Sequence, residues 1–312
     1  MTVFIHIGYP KTATSWLQKA ILPRNPQIDF WHVRNPQHAW LEEIVTAHDF
    51  AFDARRLRLS YVERRASVTA RTIGISWESF SGDPFARGHD SHRNAVRLHA
   101  VFPEAKIVVF IRNQFDMIDS LYRQYIQEGG ACSLHRFLHF HFPSRVSFSL
   151  DHLCYDRLIR CYQGLFGSEN IYVGLYEQLR ASPQSTMDDL FQFVGVDPYA
   201  YDLGTLQTRV NPGLSFVSLH IARVANRFVG SWVNPAAIVP FVKARHVRRV
   251  LQRLLDPWLF TRISPQVSFL GRDLWASIQE HFASSNRTLV SEHGLPLSDY
   301  GYPLGGGLDA VD

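Results

Sequence analysis

The sequence predicts an α/β fold: a parallel central sheet flanked by helices, with helical additions after it. Short β-rich runs alternate with helix-patterned stretches as far as Asp197. The run Lys106-Ile-Val-Val-Phe-Ile111 has no polar residue after its first position, as a strand covered on both faces requires. Beyond Asp197 the β-rich runs stop, and helical spacing continues between Pro, Asn and Gly breaks.

Taken in order, Val3-Phe-Ile-His-Ile7 forms the first strand and stops at Gly8-Tyr9-Pro10. A helix at 14–22 follows, with Trp16, Leu17, Ala20 and Ile21 turned inward. Strands at 28–33 and 72–77 enclose a long arginine-dotted helical stretch at 40–70. After the strand at 106–111 come helices at 115–127 and 150–166, a strand at 170–175 and an amphipathic helix at 183–194. Helices at 214–228, 241–255 and 269–291 complete the chain. The expectation is one domain over 1–312, with an α/β core at 1–197 and a helical C-terminal subdomain at 198–312.

The chain has 312 residues, 46% of them hydrophobic, enough for a full core and too many for a disordered or collagen-like protein. Its 32 basic and 28 acidic residues give +4, which does not predict a nucleic-acid partner. Lys11, Lys19, Lys106 and Lys243 are the only lysines, so Lys11 stands out. Cys132, Cys154 and Cys161 form no CxxC pair, and an odd count excludes complete internal pairing, so a reducing compartment is expected. The apolar start is too short for a signal-peptide core, and no run reaches the roughly 20 apolar residues of a spanning helix. A cytoplasmic protein is the expectation.

The loop after the first strand concentrates the chemistry. Gly8-Tyr-Pro-Lys-Thr-Ala-Thr-Ser15 sets backbone N–H groups at a helix start, where the dipole favours anions, and Lys11, Thr12, Thr14 and Ser15 add charge and donors. This reads as a phosphate cradle and makes the fold P-loop-like, yet the Walker A spacing is absent. The plain alternative is a helix cap with a surface lysine.

That segment, with Trp16 after it, resembles the 5′-phosphosulfate loop of sulfotransferases that use 3′-phosphoadenosine 5′-phosphosulfate. The family usually has glycine where this chain has Ala13, and alanine does not easily take φ > 0. A second stretch, Ile111-Arg-Asn-Gln-Phe-Asp-Met-Ile-Asp-Ser-Leu-Tyr122, is similar to the family's 3′-phosphate motif, an arginine followed eight residues later by serine. Arg112 sits where a buried strand ends and Ser120 lies in the next helix, so both can converge on one anion. The family often has proline where Gln114 stands, which leaves this helix start less preorganised.

Weaker matches extend the resemblance. Val173-Gly-Leu-Tyr-Glu-Gln-Leu179 resembles the family's strand and following turn, which implies Tyr176 as an adenine neighbour; a core tyrosine is the alternative. Thr208 to Ser215, Ser285-Asn-Arg287 and Tyr300-Gly-Tyr302 resemble segments of bacterial members acting on carbohydrates, and imply Arg209 at the donor.

The resemblance implies transfer of a sulfuryl group from 3′-phosphoadenosine 5′-phosphosulfate to a hydroxyl on a carbohydrate or glycolipid. Such transfer works by positioning and by neutralising charge on the leaving phosphate, a task that suits Lys11, and it needs no metal. The donor-binding set implied is Lys11, Thr12, Ala13, Thr14, Ser15, Trp16, Arg112, Ser120, Tyr176 and Arg209. Glu78, just past the strand at 72–77, falls at the same sheet edge if the strands are parallel and is the expected base, with a turn cap or arginine pairing as the alternative. The competing readings are a Mg²⁺-dependent nucleotide kinase-like enzyme and a non-catalytic module binding a bisphosphate nucleotide.

Other clusters have plainer readings. His135, His139 and His141 lack an acidic companion for a metal site, and His6 suits packing or hydrogen bonding. The stretch 243–255 carries Arg245, Arg248, Arg249 and Arg253 around an apolar stripe. It reads as a solvated face, with an anionic acceptor or peripheral membrane contact as the alternatives.

Overall fold

The computed structural model describes residues 1–139, 146–197, 214–231, 233, 239–243, 248, 250–251 and 268–305. Strands β1 (Thr2–His6), β2 (Ile28–Trp31), β3 (Thr72–Ser76), β4 (Lys106–Ile111) and β5 (Ile171–Leu175) form one parallel sheet in the order β2-β3-β1-β4-β5. The two-residue side-chain alternation of each strand feeds two separate cores. Val3, Ile5, Ile73, Ile75, Ile107, Val109 and Ile111 belong to the larger cluster, while Phe4, Val108 and Phe110 belong to the smaller. Both sheet faces are thus covered, which explains why β4 has no polar residue after Lys106.

The larger core is closed by α3 (Ala54–Ala66), α4 (Ser91–Val101), α5 (Gln114–Gln127) and α7 (Tyr155–Phe166), after the short helices α1 (Thr14–Trp16) and α2 (Glu43–Thr46) and with α6 (Leu134–His139) between α5 and α7. The smaller is closed by the π turn Leu17–Ile21 and by α9 (Pro183–Val194), which follows α8 (Tyr176–Ala181). Local chemistry fixes the helix ends. The Asp53 and Asn113 side chains cap α3 and α5, and α9 runs from Pro183 to a left-handed Gly195.

Two expectations are corrected. The stretch 40–70 is not one helix: a 3₁₀ segment Pro36–Glu42 and α2 precede α3, which starts only after the Asp53 cap. Beyond Asp197 strands do not disappear. After α10 (Phe216–Ala225), β6 (Val229–Gly230) pairs in parallel with β7 (Val239–Lys243), so Phe241 begins no helix. The Val-Pro-Phe-Val run explains this, because proline removes a helical donor and valine is stiff at χ1. The last helix, α11, spans Arg272–His293, and its Trp275 stacks on Phe115 at 3.8 Å between ring centroids. Among the described residues no helix is long and apolar enough to cross a membrane.

Glycines make room for the aromatic rings of the smaller core. A Cβ on Gly174 would stand 2.4 Å from the Phe110 ring, and one on Gly74 would stand 2.7 Å from Phe4. Gly174→Ala is therefore expected to destabilise the fold by about 1–3 kcal/mol through overpacking. Gly164→Ala, in open space on α7, should instead stabilise by about 0.5–1 kcal/mol. Urea denaturation of the two variants checks both signs.

Candidate active site

Because β1 lies between β3 and β4, the loop after it emerges at the carboxyl edge of the sheet, flanked by the segments that leave those neighbours. Such a change in strand direction order is where open α/β sheets form a crevice. His6 is level with Ser76, so Glu78 lies two residues past the sheet on one flank. On the other flank Arg112 directly follows β4.

The loop is held in an unusual backbone form. Lys11 has φ 67° and Ala13 φ 61°, two of the three non-glycine residues with positive φ among those described. Alanine thus adopts the conformation the sequence argued against, at a cost of about 1–2 kcal/mol for such a residue. Side chains compensate. The Thr12 and Thr14 hydroxyls both donate to the Tyr9 carbonyl, at 2.6 and 3.2 Å, and the Tyr9 hydroxyl donates to the His152 carbonyl at 3.1 Å. Those two threonine hydroxyls, read from sequence as anion donors, are therefore engaged inside the loop. The N–H groups of Thr12, Ala13, Thr14 and Ser15 find no acceptor among the described residues, and they form the cradle together with the exposed Ser15. Trp16 is buried in the smaller core and anchors the helix start.

Arg112 joins the cradle from β4. Its Nη1 donates to the Lys11 carbonyl at 3.3 Å, and its guanidinium lies 4.8 Å from the centre of the Tyr176 ring. Asp116 stands 3.8 Å from Nη2, and Ser120 is half-buried one turn further along α5. The Arg112 side chain is only 19% exposed, and its Nε has no partner among the described residues. A partly buried guanidinium is suited to an anionic ligand. Arg209 lies outside the described residues, as does most of the arginine-rich stretch at 243–255.

Lys11 and Glu78 influence each other across the loop. Partial burial pushes the Glu78 carboxyl up, against the pull of Lys11 and Arg34. The Lys11 side chain is exposed, yet the protein around it removes enough hydration to lower its pKa; Glu78 and Glu128 oppose this, while Arg112 and Arg248 add to it. Glu78 opens a 3₁₀ turn without capping it, and neither residue has an ion-pair partner within 4 Å among those described. The carboxylate is thus committed neither to a cap nor to an arginine.

Residues 3–200 match the sequence profile of the sulfotransferase family. The chain belongs to that family. No curated protein matches it in sequence. A sulfotransferase from Alicyclobacillus acidocaldarius is 18% identical with a TM-score of 0.46, covering 72% of this chain and 94% of its own. Mouse sulfotransferase SULT7A1, solved in complex with PAP, is 14% identical with a TM-score of 0.47, covering 96% and 89%. The sulfotransferase domain of the curacin biosynthetic pathway is 16% identical with a TM-score of 0.42, covering 90% and 97%.

Sequence reading missed the supports of this sulfotransferase's site. Glu177 accepts from the Asn113 N–H and the Tyr302 hydroxyl, both at 2.9 Å, and so fixes the residue after Arg112. Gln114, where proline was expected, is buried and donates to Asn286 at 2.7 Å. Asn286 and Tyr302, quoted above for their resemblance, thus brace the Arg112 turn. Only the Tyr-Glu spelling at 176–177 gave a hint of this.

His6 is fully buried beside the loop. Its Nδ1 lies 2.8 Å from the Ser76 hydroxyl, which also accepts from the Gln18 amide at 3.0 Å. Burial lowers the His6 pKa to about 4, and that of His152 also to about 4, from 6.5. Between pH 6.5 and 4 the unfolded chain takes up protons that the folded chain does not, so stability is full above about 6.5 and is lost as pH falls toward 4. The slope should reach about 1.4 kcal/mol per pH unit for each histidine. Denaturant midpoints measured across that window check this, and His6→Gln should flatten the slope.

Proposed function

We propose that this sulfotransferase moves a sulfuryl group from 3′-phosphoadenosine 5′-phosphosulfate to a hydroxyl of a carbohydrate or glycolipid. One observation carries the donor assignment: the Arg112 guanidinium touches the very loop whose N–H groups lack acceptors among the described residues. Two adjoining anion sites match a nucleotide with phosphates on both ends of its ribose. In this reading the N–H groups of residues 12–15 and Ser15 hold the 5′-phosphosulfate, and Arg112 with Ser120 holds the 3′-phosphate. Tyr176 orients Arg112 with one ring face and can stack on adenine with the other.

The acceptor oxygen attacks sulfur in line as the bond to the leaving phosphate breaks, and its proton passes to Glu78. Lys11 offsets the charge that gathers on the leaving oxygen. The sulfuryl group carries less charge than a terminal phosphate, so these steps ask for no metal. The partly buried Glu78 is a stronger base than a solvated carboxylate, which supports its role. The acceptor class rests on the resemblance of 285–287 and 300–302 to carbohydrate-modifying members, and transfer of labelled sulfate from donor to glycans, glycolipids and small alcohols tests it.

If Arg112 and Ser120 hold the 3′-phosphate, adenosine 3′,5′-bisphosphate should bind about ten- to a hundredfold better than 5′-AMP. Calorimetry should show that preference vanish in Arg112→Ala; equal affinities in the wild-type chain would sink the assignment. Glu78→Gln keeps the shape but accepts no proton, so kcat should fall about 10²- to 10⁴-fold with bisphosphate affinity unchanged. Near-full activity would transfer the base role to His6 or His92.

A further inference from the structure

Away from the donor loop, three side chains of different chemistry converge on one point. Asp151 belongs to the 3₁₀ turn Leu150–Leu153, Cys154 follows it, and His281 reaches across from α11. The Cys154 Sγ lies 3.9 Å from His281 Nε2, and the same Nε2 lies 3.8 Å from Asp151 Oδ1. One donor atom from each of the three falls within 4.8 Å of the others.

A catalytic Cys-His pair does not account for this. A thiol activated by an oriented histidine needs the carboxylate on the opposite ring nitrogen, whereas here Nε2 faces both partners. Burial also pushes the Cys154 thiol up to about 11, so as a free thiol it stays protonated.

Convergence of S, N and O donors is what a tetrahedral dication requires. Zinc bond lengths of about 2.3 Å to sulfur and about 2.0–2.2 Å to nitrogen and oxygen set tetrahedral edges of about 3.6 Å for S···N and about 3.4 Å for N···O. The S···N and N···O separations need only a small contraction, while the sulfur and carboxylate oxygen, within 4.8 Å of each other, would close to an edge of about 3.6 Å. A thiolate and a carboxylate would balance the dication's charge. Arg157, which donates to Asp151 Oδ1 at 2.7 Å, would orient that ligand from outside. Cys154 is buried, but His281 and Asp151 are partly open to solvent, which leaves an entry path and room for water as the fourth ligand.

We propose that Asp151, Cys154 and His281 bind Zn²⁺ as a structural staple between α11 and the turn at 149–155. The position gives the staple a purpose. That turn receives the Tyr9 hydroxyl at the His152 carbonyl, and Tyr155 at its end donates to the Arg112 carbonyl at 2.7 Å. Fastening the turn therefore fixes supports of both halves of the donor site.

The test is independent of the proposed reaction. The full chain, stripped with chelator, is titrated with Co²⁺ and then Zn²⁺. One equivalent of cobalt should give a thiolate-to-metal charge-transfer band that zinc abolishes. Cys154→Ser should lose the band, and His281→Gln, a change at a partly exposed position, should weaken binding about tenfold or more. Free zinc at about one hundred times its dissociation constant should raise the folded-to-unfolded ratio about a hundredfold in the wild-type chain and far less in His281→Gln. No band, or a band that survives in Cys154→Ser, overturns the site. Binding without stabilisation overturns the staple.

Discussion

The carbonyl of Tyr9 is the acceptor around which the donor loop is organised. It takes the hydroxyls of Thr12 and Thr14, and its own ring hydroxyl is tied to the His152 carbonyl. The Tyr9 ring packs on Tyr155 at 4.9 Å and on His152 at 5.2 Å between centroids. These contacts hold Lys11 and Ala13 in the left-handed region, where neither would rest by itself. In this conformation the N–H groups of 12–15 have no acceptor among the described residues. Gly8 is part of the same device. A Cβ there would stand 2.7 Å from His6 and 3.0 Å from the Thr14 hydroxyl, so only glycine lets the loop start so close to the strand.

Sheet order then decides what meets the loop. With β1 between β3 and β4, whatever follows those two strands must flank the cradle, and the residues that do so are Glu78 and Arg112. An acid thus stands on one side of the crevice and a fixed cation on the other, and in the proposed reading these are its proton-accepting and anion-binding ends. Lys11, between them, is drawn in opposite directions by Glu78 and Arg112.

Much of this was legible from sequence because its signals are local. The strand-loop-helix unit at residues 3–22 and the apolar run at 106–111 need no partner to be recognised, and a strand end followed by Lys11 or Arg112 marks the site edge. Glu78 required the further assumption of parallel strands, which the register supplies. What was hidden depends on contacts far apart in sequence. Glu177 reaches Asn113 across 64 residues, and Gln114 meets Asn286 across 172. The direction of the Thr12 hydroxyl was hidden for another reason: its bond to the Tyr9 carbonyl is local, but the same residue facing outward would spell the same motif. Periodicity misread 40–70 because it did not register the change from 3₁₀ to α-helix or the non-helical stretch at 47–53 that ends at the Asp53 cap.

The substitutions at family positions show how such distant contacts compensate. Without proline at 114 the helix start loses a fixed φ, but Asn113 caps it by accepting from the Phe115 N–H at 3.0 Å. Gln114 adds what proline could not: a buried side chain that bonds α11 to the turn after β4. Its cost is that Gln114 and Asn286 must stay paired, since either amide left alone in the core would leave donors and acceptors unmet. The α5 start is therefore preorganised by the C-terminal part of the chain and not by its own backbone. Asn286 also donates to the Pro303 carbonyl, and Tyr302 beside it reaches Glu177, so the segment after α11 closes the same network. Arg112 is held in place by residues from three separate stretches of sequence, which is why a two-residue motif can describe the site without accounting for its rigidity.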